Sequence, residues 1–279
     1  MSYIPKEAIR SLCADFYGNC SVYLSLPFAG ECFTLHADRQ ITAASTIKIP
    51  LLALLFKDAE EGRTDLHVPL PLGEDGAVRG SGIIKFLSPD IRLSLYDYAT
   101  LMMIVSDNTA TNRIIDAVGM DRANAFFEEN GWKDTYLGRK MFAPTPEQAK
   151  LLPQSNLTSA RDLGDMMTRI LEKRMISARI SEQMACILAC QQLGKFDKSL
   201  PNVWRPNSVV PPLPAIPEGK IAMMQKGGTL TGKVSHDTAI MTFPDGRSAV
   251  MVVMTESDDN SKALELIKAI SRSVYDRLI

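Results

Sequence analysis

The strand signals of this chain sit at its two ends, with a long helical stretch between them. Cys20-Ser-Val-Tyr-Leu-Ser-Leu alternates as a half-buried strand does, and Glu31-Cys-Phe-Thr-Leu-His pairs with it across a Pro27–Gly30 turn. The next strand patterns are Ile221–Lys226, His236–Phe243 and Arg247–Thr255, the last two joined by the tight-turn signal Pro244-Asp-Gly-Arg. An isolated hairpin is only marginally stable in water, so the early strands must find the late ones. The two ends of the chain are thereby obliged to meet in one antiparallel sheet. Two terminal helices are available to cover it. Residues 5–18 place Ala8, Ile9, Leu12, Cys13 and Phe16 on one face, and Lys262–Leu278 carries Leu266, Ile267, Ile270, Val274 and Leu278 at helical spacing.

A helix is predicted from near Ser45 through Ile47 to about Glu61, with Pro50 tolerated in its first turn and Gly62 as its stop. Further helices are expected over Leu95–Val105, Thr109–Ala117, Arg122–Asn130, Ser159–Lys173 and Ser181–Gln192. Loops fall at Gly73–Gly82 and from about Arg139 to Leu157. Pro201, Pro206, Pro211, Pro212, Pro214 and Pro217 leave no regular element over 201–218, which reads as a connector or flap. The expected class is α+β: a sheet-and-helix lobe from residues 1–44 and 195–279, a helical lobe from 45–194, and a cleft between them where a ligand would sit.

Composition excludes several functions. At 279 residues, with 46% hydrophobic and 23% charged residues, this is an ordinary globular chain. A net charge of −1 gives no electrostatic reason to expect nucleic acid or an anionic membrane as partner. No apolar run approaches the roughly 20 residues of a membrane span. The start, Met1-Ser-Tyr-Ile-Pro, lacks the apolar core of a leader. The expectation is a cytoplasmic protein, or a periplasmic or secreted one whose leader has been removed. A monomer or weak homodimer is expected. The five cysteines, Cys13, Cys20, Cys32, Cys186 and Cys190, have no framework spacing and read as free thiols. Cys186 and Cys190, one helical turn apart without further ligands, read as buried small side chains; neither a metal nor a cofactor is expected.

Three short motifs carry the chemistry. Ser45-Thr-Ile-Lys48 opens the first long apolar helix, where unpaired N–H groups and the helix dipole favour a developing negative charge. Lys48, three positions on, projects from the same face. Alone, such a match occurs about once by chance in a chain this long and reads as a capping serine before a solvated lysine. Ser106-Asp107-Asn108 joins two helices and also suits a helix cap. Lys226-Gly227-Gly228-Thr229 is expected to end a strand, its glycines admitting close approach of a ligand to the backbone.

The order Ser-x-x-Lys, Ser-Asp-Asn, Lys-x-Gly resembles that of the class A β-lactamase-like serine hydrolases, relatives of the penicillin-binding transpeptidases and carboxypeptidases. The likeness extends to Gly80-Ser-Gly-Ile, Val105–Asn112, Gly138-Arg-Lys-Met, Asn156–Leu163 and His236-Asp237, and runs from about residue 5 to the C-terminus, omitting 201–218. It implies the β-lactamase/transpeptidase fold and hydrolysis or acylation of a small-molecule β-lactam, peptide or ester substrate through an acyl-enzyme. On that resemblance Ser45 is the nucleophile and Lys48 the base, its pKa lowered by burial and by Lys226. Ser106 relays the proton to the leaving nitrogen, Asn108 holds the substrate's side-chain amide, and Lys226 attracts its carboxylate. Gly228 and Thr229 bind substrate, and the backbone N–H groups of Ser45 and Thr229 form the oxyanion hole.

Two departures modify that expectation. The family's deacylating glutamate should fall near Phe142 or Ala143, inside Lys140-Met-Phe-Ala, where there is no carboxylate; Glu147 lies four or five positions later without the asparagine that usually follows. Slow deacylation is therefore expected. Gly227 replaces the family's Thr or Ser, and the arginine often found downstream is also missing, leaving Thr229, Lys233 or His236 to compensate. Both changes argue for an unusual acyl substrate. The competing readings are a covalent penicillin-binding sensor, a D,D-peptidase or esterase, and a scaffold with a dead site. A Ser-His-Asp hydrolase lacks its Gly-x-Ser-x-Gly elbow, His36, His67 and His236 being structural, and no zinc-binding histidine cluster exists.

Overall fold

The computed structural model describes residues 2–142 and 155–279. Its strands are β1 (Asn19–Leu26), β2 (Glu31–Leu35), β3 (Ile41–Thr42), β4 (Pro69–Pro71), β5 (Arg92–Ser94), β6 (Leu157–Thr158), β7 (Val203–Trp204), β8 (Ile221–Leu230), β9 (Val234–Thr242) and β10 (Ser248–Glu256). The described helices are α1 (Lys6–Ala14), α2 (Lys48–Glu60), α3 (Leu95–Ile104), α4 (Asn108–Val118), α5 (Met120–Glu129), α6 (Ala160–Leu171), α7 (Ala178–Ala189) and α8 (Asn260–Leu278).

The chain ends meet as the strand patterns require. The main sheet has the order β2-β1-β10-β9-β8-β7, with β1 antiparallel to β10 over Asn19↔Glu256 to Ser25↔Val250. One face packs on α1 and α8 through Ile9, Val22, Leu24, Met251, Val253, Ile267 and Ile270. The other face, with Met224, Ile240, Val250 and Val252, joins the core of the helical segment. Within that core α2 is apolar on every side, burying Ile49, Leu51, Leu52, Leu54, Leu55 and Phe56. Each such side chain contributes about 1.5–3 kcal/mol when removed from water. The Ser45–Lys48 turn is thus mounted on the most enclosed of the described helices.

Three local expectations change. The 226–229 segment does not end a strand: β8 continues to Leu230, because Gly227, Gly228 and Thr229 pair with Asp237, His236 and Ser235 of β9. The helix does not begin at Ser45; a 3-10 turn over Ala44–Ile47 precedes α2, and Pro50 still falls in the first turn of α2. The proline-rich stretch does hold a regular element, the two-residue β7, which lies parallel to β8 at the sheet edge where few ladder bonds are demanded. No helix among the described residues is long and apolar enough to cross a membrane.

Candidate active site

Ser45 sits in the 3-10 turn ahead of α2, next to Ala44, whose φ of 47° is left-handed. A non-glycine residue held there costs about 1–3 kcal/mol. Ser45 is half-buried, and its hydroxyl makes no hydrogen bond to another described residue. One turn along, Lys48 is wholly buried. Its Nζ donates to Ser106 O at 2.7 Å and lies 3.0 Å from both Ser106 Oγ and Asn108 Oδ1. Two of these are obligate acceptors. The Ser106 hydroxyl can donate or accept, so the set also suits a neutral amine that keeps its lone pair.

Ser106 is presented by another left-handed residue conformation, φ 56°, in the turn between α3 and α4. The next residue holds that turn rigid. Asp107 caps α4 by accepting from Ala110 N at 2.9 Å, and its second oxygen accepts from Ile83 N at 2.7 Å and Ile84 N at 2.9 Å. Gly82 is required for this approach, because a Cβ there would meet the Asp107 carboxylate at 2.2 Å. Asn108 donates from Nδ2 to Arg79 O at 3.1 Å, which leaves Oδ1 for Lys48.

From the sheet, Lys226 Nζ lies 3.0 Å from Ser106 Oγ and donates to Gly227 O at 2.8 Å. One hydroxyl is thereby held between two buried lysines that arrive from opposite elements. Burial pushes Lys48 well below the ordinary lysine range, with the Lys226 charge adding to it and Asp107 opposing. Burial also brings Lys226 down to about 7, assisted by Lys195 and opposed by Asp237.

Gly228 brings the strand against the serine turn. A Cβ there would lie 2.9 Å from Ser45 N, 3.0 Å from Ala43 O and 3.1 Å from Ala44 Cβ. Thr229 follows with an exposed side chain. The structure therefore joins Lys48, Ser106, Asn108 and Lys226 directly, and sets the Ser45 backbone against Gly228.

The proposed substitutes for the missing cation fare differently. His236 is fully buried; its Nδ1 accepts from Thr255 N at 3.1 Å, so Nε2 carries the proton and donates to Thr42 O at 2.8 Å. Burial lowers its pKa to about 4, and this neutral ring supplies no positive charge. Lys233 is exposed in the β8–β9 turn. The cation beside Gly227 is instead Lys195, whose Nζ lies 2.9 Å from where a Cβ on Gly227 would be. It donates to His236 O at 2.7 Å, while Asp237 Oδ2 accepts from Lys195 N and Phe196 N at 2.6 and 2.9 Å. Burial holds Lys195 below the ordinary lysine range, Asp237 opposing. No motif marks Lys195 in the sequence; only the β8–β9 register reveals it.

Other family-like segments build the surroundings. Asn156 Oδ1 accepts from Gly138 N and Arg139 N at 2.9 Å each, while its carbonyl accepts from Ala43 N at 2.7 Å, just ahead of Ser45. Asn112 clasps Met141 by both backbone groups, at 2.7 and 3.0 Å. Phe142, where a deacylating carboxylate was sought, is exposed and packs over Gly80. Ala143 and Glu147 lie outside the described residues. Among those described, no group of three or more His, Cys, Asp or Glu is placed to hold a metal ion.

A serine turn heads the central helix α2, and two buried lysines share one serine hydroxyl beside it; comparison with known proteins then supplies the family. The Beta-lactamase enzyme family matches residues 4–278, and the chain belongs to that family. It is 28% identical to Beta-lactamase CARB-3 of Pseudomonas aeruginosa over 144 residues, 51% of this chain and 49% of that protein. The chain thus matches about half the length of such curated relatives. Among solved structures, a beta-lactamase from Sphaerobacter thermophilus superposes with a TM-score of 0.80 at 30% identity, covering 96% of this chain and 94% of that one. PBP-A superposes at 0.81 with 26% identity over 98% and 95% of the two chains. A mutant of PBP-A, solved as an acyl-enzyme complex with penicillin G, gives 0.78 at 25% identity over 98% and 94%.

Proposed function

We propose that this protein is a serine acyl-transfer enzyme that opens β-lactams, or related amides and esters, through an acyl-enzyme on Ser45. The observation that carries this reading is the Ser106 hydroxyl held 3.0 Å from both Lys48 Nζ and Lys226 Nζ, each lysine buried. A serine hydroxyl is a poor nucleophile until a neighbour takes its proton. Lys48, driven toward the neutral amine by burial, accepts that proton as Ser45 attacks the carbonyl. The backbone N–H groups of Ser45 and Thr229, brought close by Gly228, face the developing oxyanion; loss of one such donor typically costs about 3 kcal/mol. Ser106 accepts hydrogen bonds from the lysines and delivers its own proton to the leaving nitrogen, regaining one from Lys48. Asn108 and Thr229 contact the substrate's amide and carboxylate, and Lys226 supplies the positive potential. The substrate lies between a sheet-and-helix lobe (1–44 and 195–279) and a helical lobe (45–194).

Phe142 in place of a carboxylate supports slow deacylation, so the acyl-enzyme outlives the acylation step. That retains a second reading, a covalent penicillin-binding sensor or a D,D-peptidase or esterase with a substrate other than a β-lactam. Lys195 beside Gly227 supports a carboxylate-bearing substrate in either case. We take the protein to act as a monomer or weak homodimer. Intact mass during incubation with nitrocefin tests the assignment. The expected result is a single adduct on the wild type and none on Ser45→Ala at unchanged Tm; equal labelling of both would remove Ser45 as nucleophile. Adduct lifetime against product release then separates enzyme from sensor.

A further inference from the structure

Away from the lysine cluster, two thiols meet where α1 hands over to β1. Cys13 lies in the last turn of α1 and Cys20 is the second residue of β1, each only 8% exposed. Cys20 Sγ donates to Cys13 O at 4.0 Å, which sets the two cysteines against each other across the α1–β1 junction. Both cysteines line a surface groove of about 640 Å³, together with Arg10, Asn19, His36 and Arg39. The groove thus offers a small solute access to both cysteines.

We propose that Cys13 and Cys20 form a dithiol site that exchanges with small disulfides of the glutathione class and closes to an intramolecular disulfide between α1 and β1. The two members differ in role. The proximity of the pair holds the Cys20 thiol below its ordinary range and pushes Cys13 up, so Cys20 is taken as the attacking thiolate and Cys13 as the resolving group. The Cys20 thiolate attacks one sulfur of R–S–S–R, forming Cys20–S–S–R and expelling RS⁻. That RS⁻ takes the proton from Cys13. The Cys13 thiolate then attacks the Cys20 sulfur and expels the second RS⁻, which is protonated from solvent. The dithiol is oxidised, the small disulfide is reduced to two thiols, and the link fastens the end of α1 to the start of β1.

The exposed Cys32 would react independently, so the experiment uses the full-length Cys32→Ser chain. It is incubated with oxidised glutathione, then alkylated and mapped by mass spectrometry. The expected product has lost two hydrogens, carries no glutathione, and yields a linked peptide pair containing Cys13 and Cys20. Adding Cys13→Ser should stop the reaction at one glutathione on Cys20, whereas adding Cys20→Ser should leave Cys13 alkylatable. Because Cys32→Ser alone carries both thiols, its own peptide map decides even if a second substitution impairs folding. Full alkylation of Cys13 and Cys20 after that incubation, or a stable glutathione adduct with no link, overturns the proposal.

Discussion

Gly228→Ala probes the contact that sets β8 against the serine turn. The new Cβ would stand 2.9 Å from Ser45 N, 3.0 Å from Ala43 O and 3.1 Å from Ala44 Cβ. Carbon contacts settle at about 3.5 Å or more, so strand and turn must separate by roughly 0.6 Å. All three opposing atoms are backbone or Cβ, and none can swing aside. Ala44 already holds a left-handed φ of 47°, which leaves little freedom for that turn to yield. A misplacement of about 1 Å in a reacting geometry costs on the order of 10²-fold, and losing one oxyanion donor costs ~10²–10³. Acylation should therefore slow by about 10- to 100-fold, or ~1.4–2.8 kcal/mol in the barrier. The strain should cost ~1–3 kcal/mol of stability. Gly227→Ala is the control. Its Cβ meets the end of the Lys195 side chain at 2.9 Å, a contact that rotation of a flexible chain relieves, and His236 O at 3.3 Å. Stopped-flow acylation by nitrocefin, with Tm for each variant, reads both effects. Gly228→Ala acylating within twofold of wild type, or no faster a decline than Gly227→Ala, would refute the argument that this approach builds the oxyanion site.

Other consequences follow from buried charge. Lys226 titrates at about 7 when folded against 10.5 for the free side chain, so the unfolded chain holds the extra proton between those values and stability rises with pH across that window. Lys226→Met removes the penalty and should raise stability by about 4 kcal/mol at pH 7, visible as a higher Tm, while acylation falls by orders of magnitude; a lower Tm would contradict the burial argument. His236 titrates at about 4 when folded against 6.5, so its contribution is intact above pH 6.5 and lost as pH falls toward 4. Relative to His236→Gln, wild type should lose about 3 kcal/mol over that range in urea unfolding, a constant difference counting against it. Asp107→Ala strands the N–H groups of Ile83, Ile84 and Ala110, and should cost about 3–5 kcal/mol with a parallel loss of acylation. Unchanged urea stability in that variant would show the turn to be held by something else.

Much of the fold was legible because its elements are amphipathic and punctuated. The terminal helices, both early strands and the β9–β10 hairpin declared themselves by period and turn residues. The errors have a common cause, since Gly and Pro act locally while pairing is non-local. Gly227-Gly228 reads as a break, yet Asp237 and His236 across the ladder keep the strand running. Val203-Trp204 is hidden between prolines, because an edge strand needs partners on one side only. At the site, motif order named Lys48, Ser106 and Lys226, and the family resemblance implied a Ser106 hydroxyl between the two lysines. Lys195 was illegible, since its role depends on an empty side-chain position two elements away.

Three lysines around one strand form an arrangement that folding alone would not favour, and the way each is accommodated bears on the chemistry. Lys195 is answered by His236 O and the nearby Asp237, on the face of β8 where Gly227 leaves room. Lys226 keeps two oxygen partners, Ser106 Oγ and Gly227 O. Lys48 is wholly buried beside Lys226, with no carboxylate among its hydrogen-bond partners within the described residues. Like charges in a dry site are relieved most cheaply when one group sheds its proton, and burial, with the Lys226 charge adding to it, drives Lys48 well below the ordinary lysine range. On the proposed mechanism, the neutral amine that takes the Ser45 proton arises from the same burial and like-charge crowding that weaken the fold. It follows that stability and acylation should move in opposite directions when Lys226 is neutralised. They should fall together when Asp107, which opposes the shift on Lys48 and holds the turn, is removed.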